Sequence, residues 1–141
     1  LTAGSFMVSA DNAHAQHPNH PEFADGQNTP YLNGGVTVKF NANQRYTTDA
    51  VSAAAFRALC REAGAAVQEY ANRSDLPGGS TLGSISNTRL AMPTVDIGLP
   101  QLAMHSAYET AGAQDLDDLV RVMTAFYGKT PIHSAGAVSL R

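Results

Sequence analysis

Hydrophobic and polar residues change their spacing several times along this chain, and each change marks an element. Phe6-Met7-Val8-Ser9-Ala10 is a short apolar run that predicts a buried strand ending at Asp11. Val36-Thr37-Val38-Lys39-Phe40-Asn41 alternates, as a half-buried strand does. Val67 to Asn72 predicts a third, weaker strand, and Thr94-Val95-Asp96-Ile97-Gly98 a fourth, closed by Pro100. Helical spacing fills the intervals. Thr47, Thr48 or Asp49 caps a helix that carries Val51, Ala55, Ala58, Leu59 and Glu62 and stops at Gly64. Ser80, after the tight turn Pro77-Gly78-Gly79, caps a short helix through Leu82, Ile85 and Leu90. Asp115 caps a last helix with Leu116, Leu119, Val120, Met123 and Tyr127, stopped by Gly128. The pattern is lost after Lys129, which predicts a body of residues 1–128 followed by a loose tail, 129–141.

Strands interleaved with helices argue for an α/β layered fold, whose ligand sites lie beyond the carboxyl ends of strands. Two such ends stand out: Ser9 to His17 and Asp96 to Ser106. Between the first two strands, residues 12–35 hold three His, three Pro, four Asn and three Gly without periodicity. Structureless loops of that length are usually functional or mobile.

Composition narrows the possibilities. The chain has 141 residues, 43 % apolar and 15 % charged, with a formal net charge of −3. That is one domain's length, long enough to bury about two-thirds of its unfolded surface. Mild acidity argues against a general nucleic-acid binder. No apolar run approaches the roughly 18 residues of a membrane span, and no basic segment leads into a signal-like apolar stretch. Cys60 is the one cysteine, so no internal disulfide forms, as in a reducing cytoplasm. The chain starts at Leu1 and reaches a strand by Phe6, which reads as a piece of a longer polypeptide.

Side chains with chemistry concentrate at the two strand ends. Asp11, His14, His17 and His20 form a patch able to bind metal or move protons, although Pro18 and Pro21 exclude a continuous helix there. A polar surface loop is the plainer reading of the three histidines. His105 lies beyond the other strand end and reads alternatively as a satisfied core histidine. Lys39 interrupts an apolar strand, so its ammonium faces either solvent or a site, and Arg45 adds a second scarce cation. Ser80 follows a Gly-rich turn but lacks the Gly-Lys-Ser/Thr of a nucleotide-binding loop. Cys60 reads as a core thiol and His133 as incidental.

Four segments, in order, resemble the aspartyl aminopeptidases. They are Ser9-Ala10-Asp11-Asn12-Ala13-His14-Ala15-Gln16-His17-Pro18-Asn19; Val38-Lys39-Phe40-Asn41-Ala42-Asn43-Gln44-Arg45-Tyr46; Asn72-Arg73-Ser74-Asp75-Leu76-Pro77-Gly78-Gly79-Ser80-Thr81-Leu82-Gly83; and Asp96-Ile97-Gly98-Leu99-Pro100-Gln101-Leu102-Ala103-Met104-His105-Ser106. The resemblance covers residues 5 to 127 and matches the C-terminal third of a family member. It implies a cytoplasmic two-metal exopeptidase, usually with zinc although other divalent metals are possible, that releases N-terminal Asp or Glu from peptides. It implies the C-terminal portion of an α/β mixed-sheet sandwich with flanking helices, a second β-rich domain inserted elsewhere in the catalytic domain, and tetrahedral dodecamers. Neither nucleic acid nor membrane is an implied partner.

By the resemblance, Asp11 matches a ligand of one metal and His105 a ligand of the other. His14, Lys39 and Tyr46 match positions lining the substrate pocket, and Gly79 falls in a loop beside it. The Lys39 ammonium suits an acidic substrate side chain, and the Tyr46 hydroxyl suits a developing oxyanion. Gly78 stands where family members commonly carry Cys. The family's first metal-binding His, its bridging Asp and its Glu pair fall before Leu1, so residues 1–141 alone are expected to be inactive. Two other readings stay open: a structural or assembly fragment without metals, and a related two-metal aminopeptidase of different specificity.

Overall fold

The structure is a computed structural model that describes residues 2–141. A short 3-10 turn at Thr2–Gly4 precedes β1 (Met7–Ala10) and β2 (Ala13–His14), and a second 3-10 turn spans Pro21–Phe23. There follow β3 (Val36–Phe40), α1 (Ala50–Ala63), β4 (Val67–Ala71), α2 (Leu82–Asn87), β5 (Thr94–Gly98), β6 (Pro100–Leu102) and β7 (Thr110–Ala111). The chain ends with α3 (Ala113–Tyr127), β8 (Pro131–Ser134) and β9 (Ala137–Leu140).

The main sheet has the order β1-β5-β3-β4 and is mixed. β1 runs parallel to β5, β3 parallel to β4, and β3 antiparallel to β5. Val36, Val38, Val95 and Ile97 on one face are sealed by Phe56 and Leu59 of α1 and Val122 of α3. Each such side chain contributes about 1.5–3 kcal/mol when taken from water. The opposite face carries Ser9, Thr37, Lys39, Thr94 and Asp96, all buried. Lys39 is therefore not on an exposed strand face: β3 lies inside the sheet and both its sides are covered, against the half-buried expectation.

Asp49 caps α1 through a reciprocal pair with Ser52, and left-handed Gly64 closes it. Cys60 is fully buried, and burial pushes its thiol up to about 12, which leaves it an inert core group.

α2 starts after Thr81, one residue later than Ser80, and exposes Leu82, Ile85 and, just beyond it, Leu90. Its buried residue is Gly83, where a Cβ would stand 2.6 Å from the Asp96 carboxylate. The bare backbone lets the helix press on the sheet, so the apolar periodicity points outward.

α3 begins after Gly112, ahead of the expected cap Asp115. Asp115 instead accepts from Asn33 N at 2.8 Å and Gly35 N at 2.7 Å, fastening the helix to the end of the long loop. The packed face is Leu119, Val122, Met123 and Phe126, while Leu116, Val120 and Tyr127 are exposed. The segment expected as a loose tail forms the β8–β9 hairpin, with Val138 and Leu140 packed on the core.

Candidate active site

β1 and β5 end side by side and both chains bend there. The parallel pairing resumes as β2 against β6, with β7 antiparallel beyond. Asp11 N donates to Ile97 O and Ala13 N to Leu99 O, each at 2.9 Å, so the ladder crosses the bend almost unbroken. Gly98 makes the bend possible: a Cβ there would lie 2.0 Å from Asp11 O. Asn12 braces it, donating to Gln101 Oε1 at 2.7 Å and accepting from Leu99 N at 3.2 Å. Neither Asn12 nor Gln101 has a periodic signal in sequence.

Asp11 projects from this bend with its carboxylate exposed, while Lys39 reaches it from β3 with its side chain 3 % exposed. Lys39 Nζ donates to Asp11 O at 3.2 Å and Asn12 O at 3.1 Å and lies 3.5 Å from Asp11 Oδ2. It also stands 4.7 Å from the centre of the Tyr46 ring. Burial lowers the Lys39 pKa, and the Asp11 and Asp96 carboxylates oppose that shift. Desolvation first, then His105 and Lys39, lower the pKa of His14. The Tyr46 phenol is raised by burial and then by Tyr70.

Asp11, His14, Lys39, Tyr46, Gly79 and His105 all line one cavity of about 570 Å³. His17, His20 and Ser80 line it too. His17 and His20 stack on each other with centroids 5.5 Å apart, and His20 meets Glu22 at 3.0 Å. Arg73 fastens this loop by donating to Glu22 O. Arg45 lines a neighbouring groove instead, and His133 lies on β8, away from both.

His105 sits in the connection between β6 and β7. Ala103 and His105 have φ of 53° and 68°, the left-handed region that L-residues visit at a cost. Glu109 holds the loop by accepting from His105 N at 2.6 Å. Ala103→Gly removes one of these costs. It should raise stability by about 0.5–1 kcal/mol, read as a higher thermal midpoint; a lower midpoint would contradict the strain.

The family described as Aminopeptidase I zinc metalloprotease (M18) matches this chain over residues 1–127. The chain belongs to the M18 aminopeptidase family. It is 52 % identical over 123 residues to the Probable M18 family aminopeptidase 2 of Ectopseudomonas mendocina, covering 87 % of this chain and 29 % of that protein. The corresponding protein of Stutzerimonas stutzeri is 50 % identical over 128 residues, covering 91 % of this chain and 30 % of its own length. This M18 chain thus spans under a third of the curated relatives it matches. Among solved structures, a chain of the cryo-EM structure of the Ape4 and Nbr1 complex superposes with a TM-score of 0.87 at 40 % identity, covering 89 % of this chain and 24 % of its own. Yeast aminopeptidase 1 superposes at 0.79 with 30 % identity, covering 90 % and 28 %. The mixed α/β architecture is that of part of the M18 aminopeptidase catalytic domain.

Zinc takes carboxylate oxygen and imidazole nitrogen, the donor types that Asp11, His14 and His105 bring to the cavity. Among the described residues, no three His, Cys, Asp or Glu side chains gather as a complete metal-holding group. This M18 segment matches zinc in donor type and falls short of it in donor number.

Proposed function

We propose that this segment forms part of the active site of a zinc-dependent aminopeptidase that releases Asp or Glu from the N-terminus of peptides. In this reading Asp11 and His105 each hold one metal, and the remaining ligands and the general base come from polypeptide outside the segment. Bound zinc supplies carbonyl polarisation and an acidified water. His14, Lys39, Tyr46 and Gly79 line the pocket for the N-terminal residue. Lys39 faces the substrate's side-chain carboxylate, and the Tyr46 hydroxyl donates to oxygen as charge builds on it.

The observation that carries the proposal is the buried Lys39 ammonium in the wall of the cavity that also holds Asp11 and His105. Asp11 Oδ2, at 3.5 Å, partly offsets the cost of burying this cation, and an acidic substrate side chain in the cavity would offset more of it. Self-association, as a tetrahedral dodecamer in the cytoplasm, belongs to the same reading. Self-association is supported by the likeness to the S. cerevisiae mApe1 dodecamer, at a TM-score of 0.79.

In the intact polypeptide, Asp11→Ala and His105→Ala should each lower hydrolysis of Asp-initiated peptides by more than about 10²-fold and reduce bound zinc per chain. Full activity and full zinc in either variant would exclude its assigned role.

A further inference from the structure

Tyr46 packs on a buried aromatic partner that the proposed chemistry leaves unexplained. Tyr46 and Tyr70 are 5 % and 8 % exposed and pack with Ala13 in a small core of their own beneath the cavity. Their rings meet with centroids 6.3 Å apart at 54°. Asn72 Nδ2 donates to the Tyr70 hydroxyl at 2.8 Å. The other end of that amide is fixed as well, since Asn72 Oδ1 accepts from Asn41 Nδ2 at 3.4 Å. Gly78 keeps the space: a Cβ there would lie 3.2 Å from the Asn72 side chain. The Tyr70 ring, held by Asn72 at its hydroxyl, is thus the wall on which the Tyr46 ring packs. All three residues line the same cavity.

A buried aromatic ring takes the orientation its packing partners dictate, and the hydroxyl it carries points accordingly. An oxyanion donor is effective only if it already points at the oxygen when charge develops. We infer that Tyr70 and Asn72 are positioning residues that aim the Tyr46 hydroxyl into the cavity and act on turnover only through it. The inference rests on the reading of Tyr46 as the oxyanion donor. Tyr70 lies at the end of a strand and Asn72 just past it, so the sheet supplies the rigidity and the amide fixes the ring on which Tyr46 packs.

The test uses the intact polypeptide and an Asp-initiated peptide. Tyr46→Phe should lower kcat by about 10²-fold. Tyr70→Phe keeps the ring and should lower kcat about tenfold with KM within about twofold. The double variant should be no slower than Tyr46→Phe alone, because a residue that acts through another has nothing left to act on. Asn72→Ala should repeat the Tyr70→Phe pattern more weakly, and it stands in if Tyr70→Phe fails to fold. Losses that multiply in the double variant overturn the inference, as does an unchanged kcat in Tyr46→Phe. Wild-type kcat in Tyr70→Phe with a loss in Tyr46→Phe removes the positioning role alone and leaves the proposed function standing. A wild-type polypeptide that cleaves no Asp-initiated peptide removes the proposed function. The crystal structure of Tyr70→Phe then decides positioning by itself: a displaced Tyr46 hydroxyl supports it and an unmoved one overturns it.

Discussion

Lys39→Met lowers kcat/KM on peptides that begin with Asp or Glu by about 10²-fold and leaves neutral N-terminal residues much less affected. Met nearly matches Lys in volume and lacks its charge, so the variant removes one interaction without opening a large gap. A charge-assisted hydrogen bond in a buried site contributes about 1.5–3 kcal/mol, which is roughly ten- to hundredfold in rate. The upper end is expected because Lys39 is 2 % exposed and water does not replace the lost ammonium. Three further contacts complicate the variant. Lys39 also donates to Asp11 O and Asn12 O and approaches the Asp11 carboxylate, so its loss loosens the bend that presents Asp11. Damage through Asp11 lowers activity on every substrate and reduces bound zinc, whereas loss of the substrate contact is confined to acidic residues. Parallel assays on Asp, Glu, Ala and Leu peptides with zinc analysis separate them. A uniform loss would assign Lys39 to the bend and remove it from the specificity pocket.

The largest effect on stability is expected from Asp96→Ala, at about 3–5 kcal/mol, or a fall of about 10 °C or more in thermal midpoint. Asp96 is fully buried at the centre of the sheet's polar face. Its carboxylate accepts from Thr47 N at 2.6 Å, Thr47 Oγ1 at 2.8 Å and Thr81 Oγ1 at 2.7 Å. It thereby ties the segment after Tyr46 and the start of α2 to β5. Alanine leaves the partly buried Thr47 N–H without this partner, and the hydroxyls must turn elsewhere. Asp96→Asn keeps one carbonyl acceptor and should cost about half as much. Thermal unfolding of both variants checks the order, and a wild-type midpoint in Asp96→Ala would show that the cluster contributes little.

The pattern of the sequence anticipates the main sheet well because its strands are short apolar runs between strong stops. Thr94–Gly98 is bounded as predicted, and Asp49 and Gly64 bracket α1 by capping chemistry that is local in sequence. The failures share a cause, which is that burial depends on partners far along the chain. The apolar face of α2 points outward since Gly83, with no side chain, is the residue that meets the sheet. Asp115 looks like a helix cap and instead binds backbone some 80 residues away. β2, β6 and β7 have two or three residues each, too few for periodicity to register, and β9 gains its burial against α1.

The site follows the same division. Asp11, Lys39 and His105 are visible as isolated polar residues at or beyond strands, and the fold brings them to one cavity. Asn12 and Gln101 support that cavity through a bond across 89 residues, while Tyr70 and Asn72 are joined locally but without an apolar or capping pattern to mark them. His17 and His20 share the spacing of His14 in sequence, yet they stack at the cavity wall on a loop of their own.

Two peptides that differ only in an N-terminal Asp or Asn have nearly the same shape and differ by one charge. Their kcat/KM ratio with the intact polypeptide reads the contribution of the buried cation at the pocket directly. The Asp peptide is expected to be cleaved at least about tenfold more efficiently. Equal rates, or a preference for Asn, would contradict the proposed acidic specificity.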